Sequence, residues 1–87
     1  MSVTEPRRLR EMRNLGPASE RMLVAAGIHT PEQLDQVGAV EAYRRAVDAG
    51  AHASLNFLWS LDAALLDLEW RDLPAARKAD LRKQADR

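Results

Sequence analysis

The chain has no cysteine, so disulfides and thiol catalysis are excluded, and the composition fits a reducing interior. Aromatics are scarce, with two Trp, one Tyr and one Phe, so a core must be assembled from Leu, Ala and Val. No stretch approaches the roughly 20 apolar residues of a membrane span, and the first residues lack the apolar run of a secretory signal. These features predict a cytoplasmic protein with no membrane contact. Net charge is also absent, with 13 basic against 13 acidic residues. A protein that grips several phosphates usually shows a basic balance, so neutrality argues against strong autonomous DNA binding.

What is present is 87 residues with a hydrophobic fraction of 46%, the size of one small domain. A chain of this length buries only about 60 to 65% of its unfolded surface, so its stability margin is modest. The charge is unevenly spread. Residues 1 to 21 carry +2, residues 22 to 72 carry −5 and residues 73 to 87 carry +3. A basic patch would form only if the two ends converged, with Arg13 and Arg21 from one and Arg77, Lys78, Arg82 and Lys83 from the other. Otherwise these are solvated helix positions with i,i+4 partners.

The most informative segment runs from Asn14 to Leu34 and reads as a helical hairpin. Asn14 and Gly16 tolerate left-handed backbone angles and so permit a tight turn. Pro17 suits the first position of a helix, where its missing N–H has no intrahelical partner. Gly27 closes that helix, with Ile28 placed to cover its last turn. Thr30 and Pro31 open the next by the same capping chemistry. A tight turn leading into a helix directs free amides outward, where the helix dipole favours negative charge, so a phosphate could sit there.

Asn14-Leu15-Gly16-Pro17 resembles the helix-hairpin-helix element of proteins that hold DNA by its backbone, with Asn14 in place of the usual first glycine. Ala18 stands where such hairpins often carry Lys or Arg, which removes a phosphate-gripping charge. Similar hairpins serve as scaffold in SAM-like domains, so packing and DNA contact both remain open. Five segments then fall in one order and spacing: Asn14 to Ser19, Ala26 to Thr30, Gly38 to Arg44, Ser54 to Leu61 and Trp70 to Pro74. Together they resemble the C-terminal domain of the TfoX/Sxy family, bacterial regulators of natural competence, over about residues 9 to 83. The resemblance implies a transcriptional coactivator of DNA-uptake genes. Longer family members carry an N-terminal domain first, whereas here only Met1 to Arg8 precedes the match, so that domain's work would fall to another protein or go undone. The domain organisation expected is an extension over residues 1 to 8 and one helical domain over residues 9 to 87.

Around the hairpin, the pattern predicts further helical pieces. Glu5 to Met12 places Leu9 and Met12 together, and Pro31 to Val37 places Leu34 beside Val37 before Gly38. Val40, Tyr43 and Val47 recur up to Asp48, with Gly50 as the stop. Arg44 and Arg45 beside Tyr43 suit nucleic acid, although a lone aromatic more simply marks a core edge. Ser54 to Trp70 reads as the central helix, with Phe57, Leu58, Leu61, Ala64, Leu65 and Leu68 on one stripe and Trp59, Ala63, Leu66 and Trp70 on a second. A last helix would turn Ala75, Ala76, Ala79 and Leu81 inward. The fold expected is all-α, a compact bundle of five or six short helices, SAM-like and containing the helix-hairpin-helix element.

Catalysis finds no support. His29 and His52 fall in loops, Asp62 and Glu69 read as a solvated helix edge, and neither a metal-ligand cluster nor a phosphate loop is visible, so no catalytic residue, metal or cofactor is expected. Two functions of different class remain. In the first, a regulatory module contacts DNA weakly and without sequence preference through Arg13, Asn14, Gly16, Ala18, Ser19 and Arg21. In the second, the hairpin is scaffold, and a face around Trp59 and Trp70 docks a transcription factor, an RNA polymerase subunit or a second copy in a homodimer.

Overall fold

Each helix of the protein begins and ends where short-range chemistry dictates. The computed structural model describes residues 8–86, in which five α-helices and two 3-10 turns occur with no strand. The helices are α1 (Pro17–Ala25), α2 (Pro31–Val37), α3 (Ala39–Asp48), α4 (Leu55–Leu66) and α5 (Ala75–Ala85). The 3-10 turns span Leu9–Glu11 and Trp70–Asp72. This is the all-helical bundle expected. Of the expected helix over Glu5 to Met12, Leu9–Glu11 alone is helical among the described residues, and residues 5–7 lie outside them together with most of the expected extension.

The hairpin forms as its capping residues require. Gly27 adopts φ 85°, its N–H donates to the Val24 carbonyl at 2.9 Å, and the Ile28 N–H reaches back to Leu23 at 2.8 Å. That pair of bonds closes α1 and seats Ile28 in the core at 1% exposure. Thr30 Oγ1 accepts from the Gln33 N–H at 3.1 Å, and the Gln33 side chain accepts from the His29 N–H at 2.7 Å. Gly38 alone joins α2 to α3, at φ 86° and ψ 158°, a combination open in practice only to glycine. At the tip, the Leu15 N–H bonds to the Met12 carbonyl at 3.1 Å, closing a four-residue turn in which Asn14 takes φ 73°. Gly16 departs from the expectation: at φ −140° and ψ −170° it is extended, so the left-handed angle falls on Asn14 alone.

The core lies between α3, α4 and α5, with Leu9, Leu23, Ile28 and Leu34 brought in from the hairpin side. Three elements differ from their sequence pattern. In α3 the buried face is Ala39, Ala42 and Ala46, while Val47 stays 42% exposed and Val40 and Tyr43 sit at the margin. Alanines let α3 lie close along α4, its most extensive neighbour, and a valine stripe would hold it off. Helix α4 stops at Leu66 rather than running to Trp70, because Asp67 takes the left-handed conformation at φ 57° and Leu68 N–H turns back to Ala63 at 2.8 Å. The expected stripes are therefore cut short, leaving Leu66 and Leu68 exposed and Trp70 on its own 3-10 turn. In α5, Leu81 points inward with partly buried Lys78 and Ala85, whereas Ala75, Ala76 and Ala79 are exposed. The spacing 78, 81, 85 gives the face turned towards α3 and α4, and the alanines sit off it.

Candidate functional site

The sequence nominated the hairpin tip first, and the structure ties much of it to the segment after α4. The Asn14 side chain donates through Nδ2 to the Leu68 carbonyl at 2.6 Å and accepts through Oδ1 from the Trp70 N–H at 3.0 Å. One residue thus supplies both the turn conformation and a two-point clip across 54 to 56 positions of sequence. Arg13 leans the same way, with Nε 3.5 Å from Asp67 and Nη1 3.7 Å from Glu69. These pairs are long and exposed, worth at most about 1 kcal/mol. Their consequence is electrostatic: two carboxylates stand beside the turn and offset its positive potential.

Further along α1, Gly16, Ala18 and Ser19 line the start of the helix, and the first-turn amides of Ala18 and Ser19 fall where an α-helix offers no backbone acceptor. Arg21 is exposed with no ion-pair partner among the described residues. Glu20, also in the first turns, takes Arg10 as a partner at 2.7 Å. That side-chain hydrogen bond holds the Glu20 carboxyl below the usual glutamate range against a smaller opposing effect of burial, and the Arg10 backbone N–H adds a longer bond at 3.4 Å. Of the six hairpin residues nominated, Arg13 and Asn14 therefore face the α4 connector, while Gly16, Ala18, Ser19 and Arg21 line the outer start of α1.

Trp59 and Trp70 do come together, by an unexpected agent. The Lys78 ammonium lies 5.1 Å from the Trp59 ring and 5.4 Å from the Trp70 ring, and Arg71 stands 5.7 Å from the latter. Cations over both indoles join α4, the second 3-10 turn and α5. Both tryptophans are only partly exposed, and the Trp59 indole N–H is enclosed without a hydrogen-bond partner among the described residues. Arg82 and Lys83 flank the Trp59 side, whereas Arg13 and Arg21 belong to the hairpin.

Asp62 corrects the sequence reading most sharply. Expected on a solvated edge with Glu69, it is 5% exposed and takes both Nε and Nη2 of Arg77 at 2.8 Å each. The hydrogen bond and charge of Asp62 raise the Arg77 pKa above its ordinary value. A sequence signal existed: Asp62 is the one charge inside the apolar run Leu61 to Leu66, where a lone acid on a core helix needs a buried partner. Arg77 is thereby withdrawn from any basic patch. Tyr43 sits at the core edge against Phe57, with ring centroids 6.4 Å apart. His29 and His52 are exposed outside the helices, and among the described residues no three His, Cys, Asp or Glu side chains converge as metal ligands.

Fold and site together define a small all-helical domain with a helix-hairpin-helix-type turn clipped to the end of its central helix. The chain belongs to the TfoX C-terminal domain family, whose model matches residues 5–85. It is 34% identical over 77 residues to the DNA transformation protein TfoX of Haemophilus influenzae, an alignment covering 88% of this chain and 36% of that protein. The chain thus spans just over a third of the length of that relative. Two crystal structures of Listeria monocytogenes proteins without an assigned function share the fold, both at 34% identity. One has a TM-score of 0.83 over 88% of each chain, the other 0.82 over 87% of this chain and 94% of that one. No described helix is long and apolar enough to cross a membrane.

Proposed function

We propose that the domain is a non-enzymatic regulatory module of competence-type gene control that acts by contacting a protein partner, with the hairpin as scaffold. The relative's part in DNA transformation supports the setting. The observation that carries the mode of action is the orientation of Arg13 and Asn14, which are engaged by Asp67, Glu69 and the Leu68–Trp70 backbone. A phosphate approaching that turn meets two carboxylates together with the arginine. The partner would be a DNA-bound transcription factor or a polymerase subunit, and the domain would work as a coactivator without holding the duplex itself.

A second reading rests on its own observation. The open amides of Ala18 and Ser19 beside free Arg21 leave room for one weak, sequence-independent backbone contact. Titration against a labelled random-sequence duplex at low and moderate salt separates the two. A protein-contact module shows no binding at about micromolar concentration, where nonspecific binders operate. Salt-steep binding that disappears in an Arg13→Glu/Arg21→Glu variant would establish the DNA-facing mode instead.

A further inference from the structure

A surface with unspent recognition chemistry lies beside the hairpin turn, along the C-terminal half of α4. Two adjoining hollows, of about 530 and 350 Å³, share Leu65 and Asp35 and run between α2, the start of α3 and α5. Their apolar lining includes Val40, Leu65 and Leu66, and Leu66 remains 47% exposed. An exposed leucine beside further apolar lining is what a partner's apolar side chains would cover.

The α2 bank carries one sign of charge. Glu32 and Asp35 stand three apart on α2, exposed, with no ion pair or side-chain hydrogen bond among the described residues. Asp67 continues the rim and holds Arg13 only loosely at 3.5 Å. On the opposite bank Arg77 is already neutralised by Asp62 at 2.8 Å, so it opposes a cationic visitor weakly. Glu41 is engaged by Arg45 at 3.1 Å and adds no deficit of its own.

We propose that this groove seats a basic amphipathic helix of a partner protein, whose apolar stripe covers Leu65, Leu66 and Val40 while its Lys or Arg residues pair with Glu32, Asp35 and Asp67. Helix-in-groove docking asks for such a combination, exposed apolar side chains as seats for the i, i+3, i+4 anchors and a bank of opposite charge for orientation. The inference rests on the protein-contact reading above and gives that contact a place and a partner chemistry.

The test uses the full chain and a labelled amphipathic Leu/Lys peptide of about five helical turns, with a Leu/Glu peptide of the same pattern as control. Binding is followed by fluorescence anisotropy. The Leu/Lys peptide is expected to bind at least about tenfold tighter than its acidic counterpart, and both Glu32→Lys/Asp35→Lys and Leu66→Lys are expected to weaken it by about tenfold or more. Arg82→Glu/Lys83→Glu, which alters the Trp59 side, should leave that affinity unchanged. The altered side chains are all exposed, and far-UV circular dichroism checks that each variant keeps its fold. Equal binding of both peptides, unchanged binding in Glu32→Lys/Asp35→Lys, or no binding at about 100 μM would overturn the groove. A dimer in sedimentation equilibrium that Glu32→Lys/Asp35→Lys disperses would overturn it too, by assigning the groove to a second copy. If the duplex titration shows hairpin-dependent binding while the groove still takes the peptide, the proposed function fails and the groove stands. If neither duplex nor peptide binds, the groove alone fails.

Discussion

Position 14 carries an L-residue at φ 73° and asks its side chain for two backbone hydrogen bonds as well. Asn14→Gly therefore sets two effects against each other. Glycine relieves a left-handed penalty of about 1 kcal/mol, and the lost bonds to Leu68 and Trp70 remove about 1 kcal/mol each. The variant is expected to be less stable by about 1 kcal/mol in urea denaturation. If Asn14 only tolerated the turn, glycine would match or exceed the wild type.

Asp62 presents the opposite case, a side chain whose importance comes from burial. Arg77→Met removes the partner and leaves a carboxylate at 5% exposure, so a loss of about 1 to 3 kcal/mol at neutral pH is expected. Urea melts check this, and an unchanged midpoint would mean that the pair contributes nothing net. Glu20 gives a pH-dependent case. Its folded pKa is lowered by Arg10, so its contribution is present above the unfolded value and disappears as the pH falls through the folded one. An NMR titration should place its midpoint below that of ordinary glutamate, and Arg10→Gln should bring it back up.

Among the elements, the α3–α4 contact depends on small residues. Ala46 is fully buried and Val47 is 42% exposed, the reverse of their hydrophobicity. Ala46→Leu should destabilise by about 1 to 3 kcal/mol through overpacking, and Val47→Lys should stay within about 0.5 kcal/mol. Thermal or urea melts of both variants check this, and the opposite order would return Val47 to the core. The helix boundaries in the hairpin were legible because Pro17, Gly27, Thr30, Pro31 and Gly38 act through local backbone chemistry. The face of α3 was not, since periodicity marks apolar residues and cannot say that alanine suits a close helix approach better than valine. The end of α4 escaped for a related reason: Asp67 is a less usual left-handed stop than glycine, and nothing in the apolar run to Trp70 marks the break. The Asn14 clip and the Asp62–Arg77 pair join residues far apart in sequence, so only the folded chain brings them together.

For the whole molecule, neutrality conceals a segregated surface. Acidic side chains gather along α2 and the end of α4, Arg13 is drawn towards them, and Arg82 and Lys83 remain on α5 beside Trp59. Such a distribution leaves the hairpin with little net attraction for a polyanion and offers cationic partners a defined bank. The alignment covers 36% of the H. influenzae relative, and the segregated charge accords with the protein-contact mode proposed above. The most direct measurement is a ¹⁵N–¹H spectrum of the labelled protein with a random-sequence duplex added at low salt. A protein-contact module leaves the Ala18, Ser19 and Arg21 amides unshifted. Shifts confined to those amides, reversed by salt and absent in Arg13→Glu/Arg21→Glu, would contradict it and put the hairpin on the DNA backbone.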